Sequence, residues 1–119
     1  MTYDAAYRLA DELRRSEEYQ TYHALKDDVL GDSTQAALIH EYKKLQMQLQ
    51  VAAMNGAQPD ATDAQRFSAL STLLFTKDSV RDYLLAEMRL QQALGDIFRI
   101  LTDAAGIDLG LDGTGGMGA

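Results

Sequence analysis

Residues 33–55 read STQAALIHEYKKLQMQLQVAAMN. Along this stretch and just past it, Leu38, Tyr42, Leu45, Leu49, Ala52 and Gly56 fall four, three, four, three and four residues apart. That alternation is coiled-coil spacing over about three heptads, and it predicts a long α-helix with one seam against a neighbour. At 1.5 Å per residue the helix is roughly 33 Å long, which is long for a chain this small. Met47, Val51 and Met54 form a second stripe on another side, so the far half is apolar over more surface than one neighbour covers.

The flanking segments supply its neighbours. Asn55-Gly56 followed by Pro59 stops the helix, and Thr62 with Gln65 predicts a restart by capping-box logic. Helix 4, about Asp63 to Phe75, then presents Ala64, Phe67, Leu70, Ser71 and Leu74, which makes helices 3 and 4 a hairpin. Upstream, Tyr3, Ala6, Tyr7, Ala10 and Leu13 mark one face of helix 1, about Tyr3 to Arg15. Ser16 is read as the cap of helix 2, whose first turn carries Glu17 and Glu18 against the positive end of the dipole. Helix 2 continues through Tyr19, Tyr22, Leu25 and Val29. Gly31 is expected to close it in the left-handed conformation, and Asp32 with Gln35 resembles a capping box for helix 3. Asp78 or Ser79 caps helix 5, about Val80 to Ala105, with Val80, Tyr83, Leu84, Leu90, Leu94, Ile97, Phe98, Leu101 and Ala104 on one broad face. Gly95 interrupts that helix at a cost of about 1 kcal/mol, which suggests a close neighbour there. The expectation is an all-α protein: a five-helix bundle with a long helix 3 to helix 4 hairpin and a long helix 5. Residues 1–105 are read as a single helical domain. Residues 106–119, rich in glycine, are read as a flexible tail.

Composition narrows function mostly by exclusion. The 119 residues include 46% apolar and 24% charged residues and suffice for one compact domain. With no cysteine, the chain has no disulfide framework, thiolate metal site or cysteine nucleophile. A formal charge of −7, from 11 basic and 18 acidic residues, argues against direct binding to nucleic-acid phosphate or anionic lipid. No stretch approaches 18 consecutive apolar residues, and the N-terminus shows no signal-peptide pattern, so the expected location is the cytoplasm.

Chemistry-bearing residues are sparse and scattered. His40-Glu41 begins like a zincin helix, but Lys44 stands where the second histidine is required, so His40 is read as an exposed histidine. His23 is read as a polar residue beside Tyr19 and Tyr22. The glycines after residue 109 follow no strand, precede no helix and lack a P-loop lysine. Glu17-Glu18 and Asp27-Asp28 are adjacent pairs that point about 100° apart on a helix and do not converge on a substrate. Glu87 stands out because it falls between Leu84 and Leu90 on the core-facing stripe of helix 5. A buried carboxylate needs a partner, and Tyr19 is the expected donor. No catalytic, cofactor or metal residues are assigned, and no small-molecule substrate is expected.

Three blocks, in order, carry a family resemblance over about Tyr3 to Ala105. They are Ala10 and Leu13 leading into Ser16-Glu17-Glu18-Tyr19; Leu45-Gln46-Met47-Gln48-Leu49-Gln50 ending at Asn55-Gly56; and Val80-Arg81-Asp82-Tyr83-Leu84-Leu85-Ala86-Glu87 before a hydrophobic helix. The chain resembles the YlbF/YmcA (Com_YlbF) family of small helical bacterial regulators, and in lacking cysteine it is similar to the short YheA-like members. The resemblance implies Ser16, Glu17, Glu18, Tyr19, Gly56 and Glu87 as structural motif positions. It also implies a non-enzymatic regulatory adaptor acting by protein-protein interaction, linked to RNase Y and RNA processing, competence, sporulation or biofilm control. A self-assembling helical scaffold with an unrelated protein partner is the alternative. Expected partners are a second copy in a homodimer, related family members or RNA-processing proteins. The interface is predicted on Met47, Val51 and Met54 of helix 3 with Leu70 and Leu74 of helix 4.

Overall fold

Ser16 separates the first two helices and satisfies both of them. In a computed structural model, which describes residues 1–107, the Ser16 hydroxyl donates to the Leu13 carbonyl at 2.6 Å and accepts the Tyr19 N–H at 3.2 Å. One side chain thus closes α1 (Asp4–Arg15) and opens α2 (Glu17–Val29). Gln20 Nε2 adds a 2.6 Å bond to the Arg14 carbonyl, a further tie on the last turn of α1.

Past α2 the chain turns at Gly31, whose φ is not positive. The left-handed expectation there is therefore corrected. A Cβ at Gly31 would lie 3.2 Å from the Asp27 carbonyl oxygen and 3.4 Å from that of Asp28, so glycine permits a close approach of backbone instead. Asp32 accepts the Gln35 N–H at 3.0 Å and caps α3 (Ser33–Met54). The return half of the box is replaced: Gln35 Nε2 donates to the Val29 carbonyl at 2.8 Å and Oε1 accepts from Lys77 Nζ at 3.3 Å.

At the far end of α3, Gly56 has φ +70°. Its N–H reaches the Ala53 carbonyl at 3.1 Å and the Ala57 N–H reaches that of Ala52 at 2.9 Å, the paired bonds of a Schellman motif. The restart begins earlier than the sequence suggests. Asp60, directly after Pro59, accepts the Thr62 and Asp63 N–H groups at 2.7 and 3.3 Å and caps α4 (Ala61–Phe75). Thr62 lies inside the helix, because the Asp60 carboxylate already accepts the free N–H groups of the first turn. Asp78 is likewise the first helical residue of α5 (Asp78–Ala105), not its cap, and ion-pairs with Arg81 at 3.4 Å. Gly106, at φ +72°, ends α5. The described residues hold five helices and no strand, the all-α architecture that the periodicity predicts. None of these helices is long and apolar enough to cross a membrane. The expected tail, from residue 108 onward, lies outside the described residues.

The chain divides into two compact units, one of Ala24–Tyr83 and one of Met1–His23 with the segment from Leu84 onward. The first contains the core. Val29, Ile39, Tyr42, Leu45, Leu70, Leu74, Val80 and Tyr83 are all buried there. Within it α3 and α4 run antiparallel, since Gln35 near the start of α3 meets Lys77 past the end of α4, and Glu41 pairs with Arg66. The Tyr42 ring stacks on Phe67 with centroids 5.1 Å apart and meets Phe75 edge-on at 6.1 Å. Lys43 Nζ sits 5.4 Å from the centroid of the buried Tyr83 ring and 3.5 Å from its hydroxyl. The α3 seam thus faces inward at Tyr42 and Leu45 and is progressively more open towards Gly56.

Candidate functional site

In the unit formed by Met1–His23 and the segment from Leu84, two of the motif blocks meet. The first turn of α2 brings Glu17, Glu18 and Thr21 to one side of an open cleft of about 240 Å³, and α5 brings Ala86 and Arg89 to the other. Tyr22 donates its hydroxyl to Glu87 Oε2 at 3.4 Å. The sequence expectation named Tyr19 as donor, and the structure corrects it. Tyr19 and His23 are four residues apart on one helical face, and their rings lie 4.1 Å apart, which commits Tyr19 to its own helix. His23 also meets Tyr22 edge-on at 5.0 Å, the setting expected of it. Glu87 is half-buried and so lies outside the core interior. The stripe argument placed it too deep because α5 has a well-covered side only where Val80, Tyr83 and Ala86 pack.

The second feature belongs to the unit of Ala24–Tyr83. Met47, Val51 and Met54 are 66%, 50% and 77% exposed, an apolar stripe on α3. Leu70 and Leu74, expected beside them in the interface, are buried at 8% and 2% exposure. They form the inner face of the hairpin and are withdrawn from any partner surface. The sequence pattern on α4 marks an apolar face but not which neighbour takes it, and in the structure α4 packs on α3.

Electrostatics on the hairpin are those of a solvated surface. The hydrogen bond from Arg66 holds the Glu41 carboxyl below its usual value, and the same bond raises the Arg66 guanidinium. Lys44, Gln48 and Asp63 border that pair. His40 is exposed. Among the described residues no three His, Asp or Glu side chains lie together in a way that could hold a metal ion. The chemistry on offer at the cleft is therefore hydrogen bonding and charge, and on α3 it is apolar contact.

Sequence reasoning missed a third surface. Tyr3, just before α1, and Tyr7 within it are 63% and 73% exposed, and Leu94, Phe98, Ile100 and Leu101 of α5 are all exposed. The signal was present, because Leu90, Leu94, Ile97, Leu101 and Ala104 repeat the four-three spacing of the α3 seam. Spacing alone places them in a core, and the structure leaves Leu94 and Leu101 exposed.

Comparison with known proteins agrees with the motif blocks. Residues 2–104 match the family described as "Control of competence regulator ComK, YlbF/YmcA". A UPF0342 protein of Symbiobacterium thermophilum is 32% identical over 107 residues, covering 90% of this chain and 96% of that one. UPF0342 proteins of Halothermothrix orenii and Caldicellulosiruptor bescii are 28% and 29% identical. The former alignment covers 92% of this chain and 91% of the relative, and the latter covers 86% of each.

Proposed function

Since this chain belongs to the YlbF/YmcA family of competence-control proteins, we propose that it is a regulatory adaptor that acts by binding other proteins and catalyses no reaction. The observation that supports this reading is the exposed Met47, Val51 and Met54 stripe on a helix whose seam is buried at Tyr42 and Leu45. Unbranched methionines flanking a valine make an adaptable apolar surface of the kind that marks interaction sites. The proposed partner class is the RNA-processing machinery around RNase Y in the cytoplasm, with downstream effects on competence, sporulation or biofilm formation. Charge favours an indirect route to RNA, because 11 basic residues against 18 acidic ones offer little to neutralise phosphate.

A pull-down from the native bacterium with mass spectrometry tests this, comparing the unaltered chain with Val51→Glu. The expected result is RNase Y or its associated proteins retained by the former and lost from the latter. Filter binding at about 0.15 M salt is the companion measurement. Sub-micromolar affinity of the purified chain for RNA would overturn the adaptor reading. The second reading, a self-assembling scaffold with an unrelated partner, is favoured by the exposed apolar faces of α1 and α5. It gains if the captured proteins have no part in RNA processing.

A further inference from the structure

Methionine is ordinarily a core-filling residue, yet this protein keeps it outside. The chain has five methionines and no cysteine, so thioethers are its only sulfurs. The four within the described residues, Met1, Met47, Met54 and Met88, are all at 61% exposure or more, and none belongs to the buried apolar core. Oxidising a described methionine therefore alters the surface and leaves the packing of the core intact.

Met47 and Met54 are set apart from the others by their surroundings. They lie on one stripe of α3 with Val51 between them, roughly 10 Å apart along the helix axis. Residues 42–59 hold no carboxylate, the longest such run in a chain of net charge −7, so the negative oxygen of a sulfoxide meets no like charge from its own segment. Gln50 is exposed and stands three residues after Met47 and four before Met54, the spacings at which helical side chains are neighbours. Its amide is thus a hydrogen-bond donor within reach of a sulfoxide at either position.

We propose that Met47 and Met54 form a paired, reversible oxidation site that switches the α3 stripe from apolar to polar, with a peroxide as the oxidant. The sulfur lone pair attacks one peroxide oxygen and an S–O bond forms as the O–O bond breaks. Sulfur is oxidised by two electrons, and the proton on the transferred oxygen passes to the departing hydroxide, which leaves as water. Two thiols of a methionine sulfoxide reductase reverse the step, taking the oxygen off as water and closing a disulfide. The regulatory consequence rests on the reading above, in which this stripe is the partner surface. A partner that covers a thioether must instead strip water from a sulfoxide, and each sulfoxide buried without a donor should weaken binding roughly 10-fold or more. A bound partner also shields both sulfurs from peroxide.

The test compares the purified full chain with the double variant Met47→Leu/Met54→Leu, which keeps size, apolarity and helix propensity without the sulfur, each before and after hydrogen peroxide. Peptide mass spectrometry should find one added oxygen on Met47 and one on Met54, both removed by methionine sulfoxide reductases, with circular dichroism and melting temperature unchanged. Retention on a hydrophobic-interaction column should fall for the oxidised unaltered chain and much less for the oxidised double variant, the remaining methionines being common to both. Equal loss of retention in the two, or a melting temperature that falls only when Met47 and Met54 are oxidised, overturns the proposal. Capture from the native bacterium reads the consequence. Proteins retained by the unaltered bait and lost from Val51→Glu should fall by roughly 10-fold or more on the oxidised bait, return after reductase treatment and persist on the oxidised double variant. Undiminished capture by the oxidised bait overturns the switch. If the untreated bait retains nothing, the adaptor reading fails while column retention still decides the oxidation site, so the two failures are told apart.

Discussion

Glu87 and Tyr22 meet at 3.4 Å on a half-buried margin, so their bond stabilises modestly. Glu87→Ala is expected to lower stability by about 1 kcal/mol in urea unfolding, in the range of an ordinary intramolecular hydrogen bond. Tyr22→Phe should cost no more than that, and an unchanged midpoint for Glu87→Ala would show that the carboxylate contributes nothing to the fold. Glu41 tests a different property. Its carboxyl is held below 4.5 in the folded chain by the bond from Arg66, so the pair stabilises above pH 4.5 and the contribution is lost as pH falls through the lowered value. The pair is exposed, so the effect is small and salt-sensitive. Glu41→Gln should therefore flatten part of the acid-side fall in melting temperature while leaving neutral-pH stability nearly unchanged.

At the scale of the element, the helix ends carry the strongest expectations. Ser16→Ala removes the group that closes α1 and opens α2, and should cost about 1 kcal/mol, with the loss appearing in amide exchange of the first turn of α2. Gly56→Ala puts a Cβ on a backbone at φ +70° and should cost about 1 to 2 kcal/mol, although nothing lies within 4 Å of the added methyl. The strain is conformational and not steric crowding from a neighbour. Gly95 is the opposite case. The close neighbour expected there is absent among the described residues, since a Cβ at Gly95 meets nothing within 4 Å. The glycine costs helix propensity without gaining a contact inside the single chain.

At the scale of the whole molecule, one unit holds its own core and the other exposes its apolar faces. Leu74→Ala, at 2% exposure inside the hairpin, should cost about 2 to 5 kcal/mol and broaden or abolish the cooperative transition. Val51→Glu, on the exposed stripe, should leave thermal unfolding almost unchanged, which separates a partner surface from a core position on the same helix pair.

Helix number, helix bounds to within a few residues and the Ser16, Asp32 and Gly56 caps were legible in the amino-acid order, because caps and periodicity act over three or four neighbouring residues. The motif blocks that mark the family were legible for the same reason. The Asp60 cap was missed because Thr62 offers a similar local pattern two residues later, and local reasoning does not rank two such candidates. Which apolar stripe is covered was not legible. Leu70 and Leu74 carry the same helical spacing as Leu94 and Phe98, yet the first pair is buried and the second is open. Periodicity states that a face is apolar, whereas burial depends on which distant segment arrives there. The partner of Glu87 belongs to that second class, since Tyr19 and Tyr22 differ by less than one helical turn and the path of the chain over the 65 positions from Tyr22 to Glu87 sets which of them reaches the carboxylate.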